Sequence, residues 1–165
     1  MQWKEFMFKP IQEKRKLSLA VFKQIEKQRN GEIIDTTLVK KVTESFVSLG
    51  LRDSDSRAID LSVYEEHLEE QFLEATGAYY TNESTSFLAE NSVTDYMQKV
   101  ETRLKEESDR VEVYLHPTTH DKLLKKIDQV LIEEHKTLLR DAFQPLLEND
   151  QTQGALLISV SEGRR

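Results

Sequence analysis

Two histidines, His116 and His120, stand four residues apart, the spacing at which imidazoles on one helix face bind zinc. Pro117 lies between them, no Glu follows the first His as in H-E-x-x-H, and no third ligand is near. They read as surface or capping histidines at a helix junction. The adjacent carboxylates Glu106 and Glu107, and Glu133 and Glu134, invite a general acid and base reading. Neighbours on a helix point about 100° apart, because a turn takes about 3.6 residues, so such a pair does not share a site. With 30 acidic residues, adjacent pairs arise by chance and read as solvated helix face.

The stretch Glu13-Lys14-Arg15-Lys16 with Lys23, Lys27 and Arg29 resembles a phosphate-binding patch only in its cations. Glu13, Glu26 and Glu32 interrupt it, and no glycine-rich loop or stacking platform accompanies it. A charged, exposed helix face is the reading. Asn82-Glu83-Ser84 fits a glycosylation acceptor pattern but falls inside a predicted helix, and reads as coincidence. Tyr79, Tyr80, Phe87 and the cluster at Trp3 read as core rather than a ligand cage. No nucleophile triad, Walker loop or dinucleotide fingerprint is present in the sequence. The chemistry-bearing residues therefore predict a non-enzymatic chain: no catalytic residue, metal site or cofactor.

The elements that would position these residues follow from composition and spacing. The chain has 165 residues, 5 Gly and 3 Pro, a helix-rich composition that argues against turn-rich β folds. A net charge of −7 with 32% charged residues describes a solvated surface and disfavours a general nucleic-acid binder. No apolar run of about 18 residues predicts a membrane span, and the opening MQWKEFMFKP lacks the regions of a signal peptide. A cytosolic or nuclear location is expected. Without cysteine, disulfides, thiol catalysis and thiolate metal sites are excluded.

Helices are predicted over 2–8, 10–29 (Pro10 at the first position, stripe Leu17, Val21 and Ile25, stop at Gly31) and about 35–49, with stripe Leu38, Val42, Phe46 and Leu49. Residues 52–60 read as an exposed loop. A long helix over 62–90 carries Leu68, Phe72, Ala75, Tyr79 and Phe87, with Gly77 as a weak point. The next, over 93–115, starts at a Ser92 cap and shows Met97, Leu104 and Val111 seven apart, a narrow packing seam. His116-Pro117 stops it, and a helix over about 118–143 follows, with Leu123, Ile127, Leu131, Leu138 and Leu139, to be kinked or ended by Pro145. Long helices with narrow seams favour an elongated, repeat-like stack.

Ordered phrases then carry a resemblance: Trp3 to Pro10, Ile25-Glu26-Lys27-Gln28-Arg29-Asn30-Gly31-Glu32, Val63-Tyr64, Glu70-Gln71-Phe72-Leu73 and Tyr79-Tyr80-Thr81 with Glu83-Ser84. Phe87-Leu88, Tyr96-Met97, Arg103-Leu104 with Glu106-Glu107, Val113-Tyr114-Leu115 and Val130-Leu131-Ile132-Glu133 continue it. Over residues 3–149 the chain resembles the amino-terminal region of the cullins, nearest the SCF type. The resemblance implies an all-α, cullin-repeat-like bundle in an elongated stalk, with residues 1–149 a partial repeat region and 150–165 an unassigned tail. It places the stretch in the second repeat, entering the third near 120–149. It also implies a scaffold of ubiquitin ligases, holding substrate adaptor and RING module apart, with SCF-type components as protein partners.

By the resemblance, the adaptor surface, RING-binding domain and modifier-accepting lysine all fall outside this chain, so no site residue carries over. The tail Ala155 to Val160 departs from the family pattern, and a fragment would explain both ends. The runner-up is a freestanding helical interaction domain that takes a partner helix in a groove. Polar capping ends would mark that domain, and bare apolar ends would mark a stalk piece.

Overall fold

A computed structural model describes residues 15–49 and 60–148. Among them the secondary structure is helical throughout: α1 Lys16–Arg29, α2 Thr36–Leu49, α3 Ser62–Tyr64, α4 Glu70–Glu90, α5 Val93–Tyr114, α6 Thr119–Asp128 and α7 Lys136–Glu148. A π-helical stretch, Glu65–Glu69, joins α3 to α4, and another, Gln129–Glu133, extends α6. The expected helix over 2–8, most of the 52–60 loop and the 150–165 tail lie outside the described residues, as do Trp3 and Gly50.

The helix ends follow local chemistry. Asn30 closes α1, and Gly31 adopts φ 87°, a left-handed turn that glycine takes without steric cost. Asp35 Oδ1 accepts the Leu38 amide at 2.9 Å, so the cap predicted from Asp35-Thr36-Thr37 is supplied by the aspartate. Ser92 Oγ accepts the Asp95 amide at 3.1 Å and donates to the Asp95 carboxylate at 2.6 Å, as the S-x-x-D pattern predicts.

Packing puts α2 against α3 and α5, α1 against α4, and α6 against both α4 and α5. One core runs through these contacts, from Val21 and Ile25 through Phe46, Leu68, Phe72, Tyr80, Val100 and Val111 to Leu123, Ile127 and Leu131. Each such aliphatic or phenyl group contributes about 1.5–3 kcal/mol by leaving water. The 22 residues of α5 give a helix of about 33 Å. No helix of the described residues is long and apolar enough to cross a membrane.

Several boundaries differ from expectation. Arg15 is left-handed at φ 50°, so α1 starts at Lys16 and is not continuous with a helix from residue 10. The helix expected over 118–143 is three pieces: α6, the second π stretch and, after a turn at 134–135, α7. Repeated leucines keep apolar periodicity across that break, which hides it from a stripe count. Pro145 neither ends nor precedes the end of α7 by stopping it, since the helix continues to Glu148. The α2 stripe is also displaced, with Val39, Thr43 and Phe46 buried and Leu38 exposed. On α4 the innermost line is Phe72, Thr76, Tyr80 and Ser84, while Ala75, Tyr79 and Phe87 are half-buried beside it. Leu138 is exposed, whereas Leu139 is buried.

Candidate functional site

The most organised polar group sits where α1, α4 and α5 meet. Arg29, the last residue of α1, donates from Nε and Nη2 to the two carboxylate oxygens of Glu107 on α5, both at 2.9 Å. Nη2 also donates to Thr76 Oγ1 on α4 at 2.9 Å. Glu107 accepts from Tyr80 at 2.7 Å and from Arg110 Nη1 at 2.7 Å. Gln28 Oε1 accepts from Tyr114 at 2.8 Å and from Arg110 Nε at 3.2 Å. Arg29 and Glu107 side chains are 4% and 0% exposed, so the solvated-face reading of both residues is overturned.

Two sequence signals pointed to this burial. Arg29 continues the α1 stripe Leu17, Val21, Ile25 by one more step of four, and Glu107 lies seven residues from both Val100 and Tyr114, in phase with the seam. Both were obscured because each stands in a run of charges. The bidentate fork explains how a carboxylate tolerates this position: an unpaired buried charge costs several kcal/mol, and here every oxygen is satisfied.

The group extends to the surface by alternating signs. Glu107 pairs with Arg110, Arg110 with Glu106 at 3.6 Å, Glu106 with Arg103 at 2.6 Å, Arg103 with Glu83 at 2.5 Å and Glu83 with Lys99 at 3.3 Å. Counting Arg29, this chain holds four cations and three carboxylates. The surplus charge faces aromatic rings: the Arg29 guanidinium carbon lies 5.6, 5.1 and 5.2 Å from the centroids of Phe72, Tyr79 and Tyr80.

Burial alone would raise the Glu107 pKa, but the Arg29 hydrogen bonds and the charges of Arg29 and Arg110 outweigh it and hold the carboxyl below its ordinary value. Burial likewise opposes the Arg29 charge, and Glu107 overcomes it, leaving the guanidinium more firmly protonated than usual. For the Tyr80 phenol, burial and then the Glu107 charge both act upward. These groups are one another's partners, enclosed and matched, and their arrangement braces three helices rather than presenting a group to a substrate.

A smaller brace lies at the first π stretch. Buried Glu69 accepts from Thr119 Oγ1 at 2.7 Å and from Lys122 Nζ at 2.6 Å, and Tyr64 shares a 2.6 Å hydrogen bond with Thr119. Both π stretches have a carbonyl taken by a side chain from another helix: His67 O accepts from Ser18 at 2.8 Å, and Leu131 O from Tyr96 at 2.7 Å. Side-chain capture of backbone carbonyls is how irregular helix is kept satisfied inside a core.

The remaining predicted positions separate. His116 Nδ1 pairs with Thr118 at 2.9 Å and His120 Nε2 with Ser108 at 3.0 Å, on either side of the helix junction. Among the described residues no group of three or more His, Asp or Glu could hold a metal. Glu133 and Glu134 are exposed, while Glu106 is half-buried. Arg15, Lys16 and Lys23 are exposed, in keeping with a solvated face, and Glu13 and Lys14 lie outside the described residues. The Asn82 pattern is on α4, with Ser84 buried and bonded to His135 at 3.0 Å.

Helices stacked in sequence order and tied by interior polar braces define an α-solenoid segment. Residues 1–161 match the Cullin alpha solenoid domain. The chain belongs to the cullin family. It is 47% identical over 149 residues to Cullin-1 of Dictyostelium discoideum, covering 90% of this chain and 19% of that protein. It is 38% identical to Cullin-1 of Caenorhabditis elegans (88% and 19% covered) and 32% identical to Cell division control protein 53 of Saccharomyces cerevisiae (90% and 18% covered). The chain thus spans about a fifth of the length of the curated relatives it matches.

Proposed function

We propose that this chain is a scaffold segment of a cullin-type ubiquitin ligase, a spacer that holds a substrate adaptor and a RING module apart, and that it is not itself catalytic. The observation that carries the reading is the match of residues 1–161 to the family's α-solenoid domain. The geometry supports it: an enclosed Arg29–Glu107 fork ties the end of α1 to the middle of α5, and a spacer needs fixed helix register more than exposed chemistry. In this reading residues 1–149 form a partial cullin repeat region, the location is cytosolic or nuclear, and SCF-type components are the partners of the whole assembly.

The test transplants the segment. Residues 1–149 replace the matching stretch of the Dictyostelium Cullin-1, and the chimera is assembled with its adaptor and RING partners and assayed for ubiquitin transfer to a bound substrate. Transfer near that of the unaltered cullin is expected. A folded chimera that binds both partners yet transfers nothing overturns the spacer reading. Small-angle scattering on the chain separates the freestanding alternative: a compact 165-residue domain has a radius of gyration of about 15 Å, and a stalk piece lies clearly above it.

A further inference from the structure

Beside the brace, α1 and α4 leave a groove of about 630 Å³. Its apolar floor and walls are Phe22, Ile25, Phe72, Ala75, Ala78 and Tyr79. We propose that this groove is the docking site for the aromatic segment of the same chain, Trp3 to Phe8, which clips onto α1 and α4 from outside.

Four observations converge on that occupant. The volume falls in the range that encloses a drug-sized apolar group, and Trp3, Phe6, Met7 and Phe8 form the densest run of large apolar side chains in the sequence. Charge matches too, because Glu26 and Glu83 stand on the rim while Lys4 and Lys9 flank the aromatics. Reach is sufficient: from Lys16 to Phe22 is about 9 Å along α1, and the seven residues from Phe8 to Arg15 span up to about 24 Å. Finally, left-handed Arg15 turns the backbone immediately before α1, which takes the preceding residues off the helix axis and lets them return along its side. A tethered segment also competes at an effective concentration in the millimolar range, an advantage that neither a second copy nor a free partner has. The inference concerns this chain alone and stands or falls independently of the spacer reading.

Trp3 is the single tryptophan, so the chain carries its own reporter. The experiment measures tryptophan emission and acrylamide quenching on the full chain, alongside Ala78→Arg, which places a long cation on the groove wall at an exposed helix position. Blue-shifted, shielded emission is expected for the native chain, independent of dilution. In Ala78→Arg the quenching constant should rise several-fold toward that of free tryptophan, with helical circular dichroism retained. Asn82→Arg, one turn along the same wall, is the second variant should the first fail to fold. Water-exposed Trp3 in the native chain overturns the proposal, and so does shielding that both folded variants leave unchanged. Shielding lost on dilution overturns it in favour of a second copy as the occupant.

Discussion

The guanidinium of Arg29 and the carboxylate of Glu107, 78 positions apart in sequence, meet as a two-bond fork at 2.9 Å with almost no solvent contact. A fork of this kind is planar and directional, so it sets rotation as well as distance between α1 and α5. A surface pair such as Lys27 and Glu32, at 3.6 Å and largely exposed, fixes neither.

Removing one partner should therefore be costly. Glu107→Ala leaves two guanidiniums without their carboxylate and is expected to lower unfolding free energy by about 3–5 kcal/mol. Glu32→Ala should stay within about 0.5 kcal/mol. Urea titrations of both variants give the comparison, and equal midpoints would contradict the brace.

Acid should act through the same residue. The folded Glu107 carboxyl sits below its unfolded value of about 4.3, so its stabilisation is complete above that pH and is lost as pH falls through it toward the folded value. Melting curves from pH 7 to pH 3 should show a steeper acid loss in the native chain than in Glu107→Gln, which has no proton to take up there.

The unpartnered hydroxyl of Thr43 offers a gain. Thr43 is buried on α2, and its Oγ1 has no hydrogen-bond partner among the described residues. Thr43→Val keeps the shape and removes a desolvated polar atom, so a stability increase of up to about 1 kcal/mol is expected in the same titration.

At Gly77, a Cβ would come within 2.7 Å of Lys126 Cε and meet no backbone. The end of a lysine chain moves cheaply. Gly77→Ala should then recover most of the roughly 1 kcal/mol by which alanine exceeds glycine in a helix interior. Gly77→Leu should instead destabilise, and the pair of melting temperatures tests both statements.

Capture of the π-stretch carbonyls is expected to matter locally. Tyr96→Phe strands Leu131 O and should cost about 1–3 kcal/mol. Hydrogen exchange should quicken first at the end of α6 and the start of α7, leaving α2 unchanged until global unfolding.

The helices were legible because an apolar stripe is a local property: Met97, Val100 and Val111 announce the buried face of α5 within one element. Stops were legible where a residue acts through its own backbone, as Gly31 and Pro117 do. The brace was not, because its members are charged and belong to three elements, and charge in sequence reads as exposure unless the partner is known. The break after Asp128 escaped for the opposite reason, since Leu131, Leu138 and Leu139 preserve an apolar rhythm through backbone that is no longer regular helix. Leu38 shows the same weakness on a small scale: its spacing fits a stripe, and a rotation of one residue puts Val39 inside instead.

The 78 positions between Arg29 and Glu107 also have a meaning in time. At the usual pace of synthesis, about 5–20 residues per second, the ribosome adds Glu107 about 4–16 s after Arg29. Thr76, 47 positions on, and the rings of Phe72, Tyr79 and Tyr80 are made well before the carboxylate. A nascent chain can therefore assemble a half-built box, in which the guanidinium rests against ring faces and one hydroxyl while still reachable by water. Arrival of α5 closes the last wall. Premature release of the chain before residue 107 would leave a cation-bearing, aromatic surface open, the kind of fragment that quality-control machinery is equipped to find.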